Sequence, residues 1–254
     1  TVDGKTVKAL CDSIRAHLIH NPLLLKSQFD DENILSLLTA SRSLVSALEK
    51  YLDNGGIRFD AVYTGYLGST RQIGYVLDIM KDAPGALKVV DPAMADGGKL
   101  YPAFDGAYVA GMRTLYRAAD VVMPNITEAA FLCDMPYRET YDRAYVDALL
   151  QKLCDGWNGT VVLTGVSFGE TELGTAVSDG KTIEYDFNPR NPRNSHGTGD
   201  VFASVFAGAV LRGKSALEAA ALAADMVCAA IEATDPDHWY GVSFENVIPS
   251  LVDR

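Results

Sequence analysis

Residues 119–132 read Ala-Asp-Val-Val-Met-Pro-Asn-Ile-Thr-Glu-Ala-Ala-Phe-Leu, a short β-rich apolar run at 121–124 that ends on Pro124-Asn125 and leads into a helix carrying Glu128. The same alternation extends in both directions. Candidate strands fall at 61–65, 87–91, 121–124 and 160–165, and candidate helices at 70–80, 106–118, 143–154 and 200–211. Strands alternating with helical stretches from Phe59 onward predict an α/β fold, a mostly parallel central sheet flanked by crossover helices. Asp179-Gly180, between apolar runs at 175–177 and 182–187, is a hairpin turn signal and predicts a late antiparallel hairpin. An Ala-rich helix at 216–233 follows, and Phe244, Val247, Ile248 and Leu251 are spaced for a short final helix.

The first 58 residues are less regular. An opening strand at 5–10 and a helix at 31–51, ended by Gly55-Gly56, are the expectations there, with no pattern at 13–29. With 254 residues, 48% of them hydrophobic, the chain is expected to form a single domain over 1–254. No apolar run is long enough to span a bilayer and no basic-then-apolar leader is visible, which predicts a cytoplasmic protein without a membrane partner. A net charge of −11 argues against nucleic acid, whose phosphates require clustered Lys and Arg. Cys11, Cys133, Cys154 and Cys228 are scattered without a Cys-x-x-Cys pair and are expected as reduced core thiols.

In an open parallel sheet, ligands bind beyond the carboxyl ends of the strands. Here those ends are polar: Thr64-Gly65-Tyr66, Asp91-Pro92, Pro124-Asn125 with Glu128, and Thr164 with Ser167. Any one of them has a simpler use, since Asn125 or Thr127 can cap the helix that bears Glu128. Four such ends on one rim point to a site. The sharpest local signal is His196-Gly197-Thr198-Gly199-Asp200 before the apolar helix of Val201, Phe202, Val205, Phe206 and Val210. Two glycines allow a tight turn, and the helix start offers unpaired N–H groups to an anion. Asp200, at that start, is suited to take a proton from a hydroxyl held beside the cradle, or else only caps the helix.

Other chemistries lack their residues. There is no G-x-x-x-x-G-K-[ST] loop and no early G-x-G-x-x-G. His17, His20, His196 and His238 lack metal-ligand spacing, and Ser195 beside His196 does not make a hydrolytic triad.

The string HGTGDVFAS at 196–204 resembles the signature of ribokinase-like kinases. VVDPAMADGGKLY at 89–101 and ADVVMPNITEAAFL at 119–132 resemble the pyridoxal, pyridoxamine and hydroxymethylpyrimidine kinase branch, and FDAVYTGYLGS at 59–69 is similar to pyridoxal kinases. This resemblance implies a ribokinase-like fold and ATP-dependent phosphorylation of a hydroxymethyl group on a vitamin B6 vitamer. Asp200 would be the catalytic base, and the amides of Gly197, Thr198 and Gly199 the anion hole. Asn125 and Glu128 would hold Mg²⁺, partly through water. Asp91 would act near metal and phosphates, Thr164 and Ser167 near the nucleotide, and Tyr66 against the pyridine ring. The resemblance also implies a homodimer and, in some members, a stimulating monovalent cation such as K⁺. The strand, Gly/Ser-rich turn and His-Thr-Gly segment with which such kinases open are not legible between Lys5 and Asn54, so by this resemblance the N-terminal 1–58 is expected to be atypical or incomplete.

Hydroxymethylpyrimidine or a sugar are the alternative acceptors, and a non-catalytic ligand-binding relative is the reading from another class. The intact Asp200 counts against the last, and Tyr66 favours a flat aromatic substrate. The stretch 188–194, with Pro189 and Pro192, is expected to be a loop that brings Arg190 and Arg193 to the ATP phosphates without carrying any of the core.

Overall fold

The computed structural model describes residues 58–193, 195–238 and 241–251. The strand expected at 5–10, the helix expected at 31–51 and the atypical N-terminal segment lie outside these residues, apart from Arg58.

The described chain runs β1 (Ala61–Thr64), α1 (Thr70–Asp82), β2 (Leu87–Val90), β3 (Ala95–Asp96), β4 (Lys99–Leu100), α2 (Gly106–Arg117), β5 (Val121–Val122), α3 (Ile126–Cys133), α4 (Arg143–Cys154), β6 (Thr160–Val166), β7 (Glu172–Ser178), β8 (Ile183–Pro189), α5 (Thr198–Leu211) and α6 (Ala216–Ala233). Among the described residues, six strands form one sheet in the order β1-β2-β5-β6-β7-β8. The first four are mutually parallel, and β7 and β8 add as an antiparallel pair at the far side. This is the mixed, mostly parallel sheet with a late hairpin that the alternation predicted. It agrees with the ribokinase-like fold that the resemblance implies.

Successive strand residues point to opposite faces, and both faces are covered. Val90, Val122, Val161 and Leu163 pack against α1 to α4, while Val89, Val121, Met123, Val162 and Val177 pack against α5 and α6. Cys133 and Cys154 are buried free thiols, as expected; Cys228 is half-buried, and Cys11 lies outside the described residues.

Three differences from expectation have local causes. The β3–β4 hairpin was not anticipated; it turns on Gly97 and Gly98, both at positive φ (55° and 78°), a backbone region open to glycine. The expected final helix is instead two 3₁₀ turns, Phe244–Asn246 and Ile248–Leu251, because Pro249 lacks an N–H with which to continue a helix. The stretch 188–194, expected as a loop, begins as strand: Asn188 and Pro189 are the last residues of β8. Within the described order β8 is an edge strand, where a proline is tolerated.

Candidate active site

The carboxyl ends of β1, β2, β5, β6 and β8 open onto one rim, and a cleft of about 590 Å³ follows it. Tyr66, Asp91, Asn125, Glu128, Thr164, Arg193 and the run from Gly197 to Asp200 all line this cleft. A larger groove of about 970 Å³ along α5 and α6 also touches Asp200, but its wall is mainly aliphatic and contains none of the other rim residues.

Helix α5 starts differently from its neighbours. Helices α1, α2, α3, α4 and α6 begin with a side chain, from Ser69, Asp105, Asn125, Asp142 and Ser215 respectively, that accepts a first-turn N–H. Helix α5 begins on Gly197 at φ 81°, with no side-chain cap. Its first amides therefore face the cleft without a capping oxygen, and the helix start attracts an anion. Asp200 is exposed in the first turn, and its carbonyl accepts from the Ser204 hydroxyl (2.7 Å).

The carboxylates opposite are placed by the fold. Asp91 follows β2, and its Oδ1 accepts from the Ala93 N–H (3.1 Å). Ala93 has φ 34°, an uncommon conformation for a residue with a β-carbon, and such strain clusters at functional sites. Burial first, with the Asp200 charge adding, raises the Asp91 carboxyl to about 6 against the lowering effect of the Ala93 N–H. Glu128 is 3% exposed and belongs to a capping box: the Asn125 side-chain oxygen accepts from the Glu128 N–H, and Glu128 Oε2 accepts from the Asn125 N–H, both at 2.9 Å. Glu128 Oε1 also accepts from the N–H of Met94 (2.9 Å) and Ala95 (3.4 Å). Burial, then the Asp91 charge, pushes the Glu128 carboxyl up to about 8 even though these N–H groups favour its ionised form.

Asn125 thus caps α3, and its Nδ2 donates to the Ala95 carbonyl (2.9 Å). Thr127, the other capping candidate, instead accepts the Gly98 N–H on its hydroxyl (3.1 Å). No group of three or more His, Cys, Asp or Glu side chains among the described residues converges to hold a metal ion. The oxygen donors of Asp91, Asn125 and Glu128 fit a hydrated Mg²⁺ that arrives on phosphate oxygens, not an ion caged by protein alone.

Arg193 is the only Lys or Arg among the described lining residues. Its Nη1 donates to the carbonyls of Ile231 (3.2 Å) and Thr234 (2.6 Å), at the C-terminal end of α6. The expectation that this segment carries no structural weight is therefore corrected. Arg193→Ala is expected to lower stability by about 1–2 kcal/mol, because two charge-assisted bonds to helix-end carbonyls are lost. Denaturant unfolding of that variant beside Arg190→Ala, which should stay near wild type, checks this. Arg190 does not line the cleft; its N–H bonds to the Thr171 carbonyl (2.8 Å). Ser167 does not line it either: its hydroxyl sits on the carbonyls of Gly169 (2.6 Å) and Glu172 (2.9 Å) and closes the β6–β7 turn. Thr164 does reach the cleft, and its N–H pairs with the Pro124 carbonyl (2.9 Å).

Sequence reasoning missed Tyr101. The β3–β4 hairpin delivers it to the cleft wall that Tyr66 also lines. Behind both lies Phe104, with ring centroids 5.3 Å from Tyr66 and 6.3 Å from Tyr101. Phe104 stacks on Tyr108 (3.8 Å), whose hydroxyl donates to the Leu67 carbonyl (2.6 Å). The two tyrosines therefore form a backed aromatic wall suited to a flat ring.

A family model described as phosphomethylpyrimidine kinase matches residues 39–242. A pyridoxal kinase of Rubrobacter xylanophilus is 30% identical over 184 residues, covering 68% of this chain and 62% of its own length. A hydroxymethylpyrimidine/phosphomethylpyrimidine kinase of Haemophilus influenzae is 29% identical over 173 residues, covering 66% of this chain and 63% of that protein. The chain spans less than two thirds of the length of these curated relatives. Among solved structures, the pyridoxal kinase of Lactobacillus plantarum superposes with a TM-score of 0.75 at 30% identity, covering 83% of this chain and 77% of that one.

Proposed function

We propose, from the premise that the chain belongs to the phosphomethylpyrimidine kinase family, that it transfers the terminal phosphoryl group of ATP to the 5′-hydroxymethyl group of pyridoxal, pyridoxamine or pyridoxine. The observation that carries this reading is the uncapped start of α5, with Asp200 in its first turn, facing Asp91, Asn125 and Glu128 across one cleft. Phosphoryl transfer asks for positioning, charge neutralisation and a proton acceptor. The amides of Gly197, Thr198 and Gly199 neutralise the equatorial oxygens of the moving group. Asp200 takes the hydroxyl proton as the oxygen attacks in line, and the donor's bridging oxygen leaves with the electron pair. Mg²⁺ bound to the donor would be held by Asp91, Asn125 and Glu128, mostly through water, and would add positive charge to a cleft whose one described cation, Arg193, donates to the Ile231 and Thr234 carbonyls. The aromatic wall of Tyr66 and Tyr101 favours a pyridine ring over a polyol.

Hydroxymethylpyrimidine is the second acceptor, favoured by the Haemophilus relative and by the fact that it too is a flat ring bearing a hydroxymethyl group. A homodimer in the cytoplasm, a single domain over 1–254 and stimulation by a monovalent cation such as K⁺ complete the reading. Acceptor-dependent ADP release with pyridoxal, pyridoxamine, pyridoxine, hydroxymethylpyrimidine and ribose tests it: the B6 vitamers are expected to give the highest kcat/KM. Release with the pyrimidine alone moves the assignment to that ring, and release with none of the five rejects the kinase.

Glu128→Gln is expected to raise the Mg²⁺ concentration needed for half-maximal turnover more than the acceptor KM, because a carboxylate suits this hard cation better than an amide. The KM rises too, since the new side-chain NH2 cannot accept a backbone N–H as the carboxylate oxygen does. A Mg²⁺ titration of the variant beside wild type reads the difference.

A further inference from the structure

The cleft has an end that the aromatic wall and the glycine cradle do not use. The rim crosses the sheet from β1, which leads to Tyr66, to β7 and β8, four and five strand spacings away, or about 19 and 24 Å. In-line transfer puts donor and acceptor on opposite sides of the moving group. With the acceptor ring against Tyr66 and Tyr101, the rest of the donor extends toward β7, β8 and α6. That end is walled by Leu173, Thr175, Asn188, Ala224 and Val227, which are apolar except for two polar side chains.

Both polar side chains have an atom with no partner. The Thr175 hydroxyl, on a residue 3% exposed, is buried and unpaired, and so is the Asn188 side-chain oxygen. Buried polar atoms without partners are rare and costly, and they call for a ligand or a water. Asn188 also has its orientation fixed. Its Nδ2 donates to Asp225 Oδ1 at 3.0 Å, and an ionised carboxylate can only accept, so the nitrogen must face Asp225 and the oxygen must turn away.

We infer that this end of the cleft selects the base of the phosphoryl donor, with Asn188 offering its oxygen to the amino group of adenine. This rests on the kinase reading above. The contact forms as the base seats, since the oxygen is covered in the free protein. A fixed acceptor pairs with the 6-amino group and meets the 6-oxo group of hypoxanthine lone pair to lone pair. The Thr175 hydroxyl can rotate to donate or accept and so discriminates little. Asn188 is thus the specificity-determining residue, and Asp225 is a positioning residue that acts through it.

Equilibrium binding of ATP and ITP to the full chain, measured by calorimetry, tests this. Wild type is expected to bind ATP at least about tenfold more tightly, the scale of one hydrogen bond exchanged for a repulsive contact. Asn188→Leu should bring the ratio near one, mainly by weakening ATP. Asp225→Asn, which keeps Asn188 but frees its amide to turn, should also lower the ratio, this time by strengthening ITP; a merely structural role for Asp225 would weaken both nucleotides alike. A wild-type ratio near one, or a ratio unchanged in the two variants, overturns the inference while leaving the kinase reading intact. Failure of wild type to bind either triphosphate overturns both.

Discussion

Asp200→Asn lowers turnover about a hundred- to ten-thousand-fold, the usual cost of removing a general base, while ATP binding stays close to wild type. The expectation follows from where Asp200 sits. It is exposed in the first turn of α5, so its carboxylate is free to meet a hydroxyl, and the helix start behind it is already set by Gly197. Asparagine keeps the size and can still lie at a helix start, which leaves the cradle formed; what is lost is the proton acceptor. Single-turnover kinetics with calorimetric ATP binding separate the two effects. More than a tenth of wild-type turnover in the variant would remove Asp200 from the base role.

Gly197→Val is expected to lower kcat by about a hundred- to a thousand-fold, the range seen when an oxyanion donor is removed. The cause is conformational. A β-carbon built at Gly197 meets nothing within 4 Å, so there is room for it, but φ is 81° there. A β-branched residue resists that region, at roughly 1–2 kcal/mol for an ordinary L-residue and more for valine, and the chain escapes by rotating the first amides of α5 out of the cleft. Gly197→Asn separates conformation from bulk, because asparagine adopts left-handed geometry more readily. It should retain more activity than the valine variant in steady-state assays, and equal losses in the two would point to steric exclusion of substrate.

What the sequence disclosed about the fold followed from the lengths of its periods. Strands flanked by long amphipathic helices were legible, and the α4 and α6 boundaries fall where the pattern put them, Arg143–Cys154 and Ala216–Ala233. The two-residue strands β3 and β4 carry no period to detect; their one signal is Gly97-Gly98, a turn pair whose apolar flanks, Met94-Ala95 and Leu100-Tyr101, are too short to alternate. Missing that hairpin hid Tyr101. Asn125 and Glu128 stand at capping-box spacing, yet that spacing alone does not reveal that the Glu128 carboxylate also binds Met94 and Ala95. Arg193 was visible as a cation near the cradle, but its bonds to Ile231 and Thr234 span 38 and 41 residues, and no local pattern encodes such a separation. Thr175 and Asn188 escaped notice for a related reason. An antiparallel pair brings the start of β7 and the end of β8 to the rim, and only the pairing of β7 with β6 fixes which ends those are.

Glu128 also governs how this region breathes. Its carboxylate gathers the N–H groups of Met94, Ala95 and Asn125, from chain segments some thirty residues apart. Those three amide hydrogens can exchange with solvent deuterium only when the carboxylate lets go, and release frees the β3–β4 hairpin and the start of α3 together. The hairpin carries Tyr101 and the helix start carries Asn125, so opening at one buried side chain disassembles the acceptor wall and the metal side of the cleft in a single event. Exchange at Met94, Ala95 and Asn125 should therefore report one opening free energy, and a cation settling near Glu128 would slow all three by the same factor.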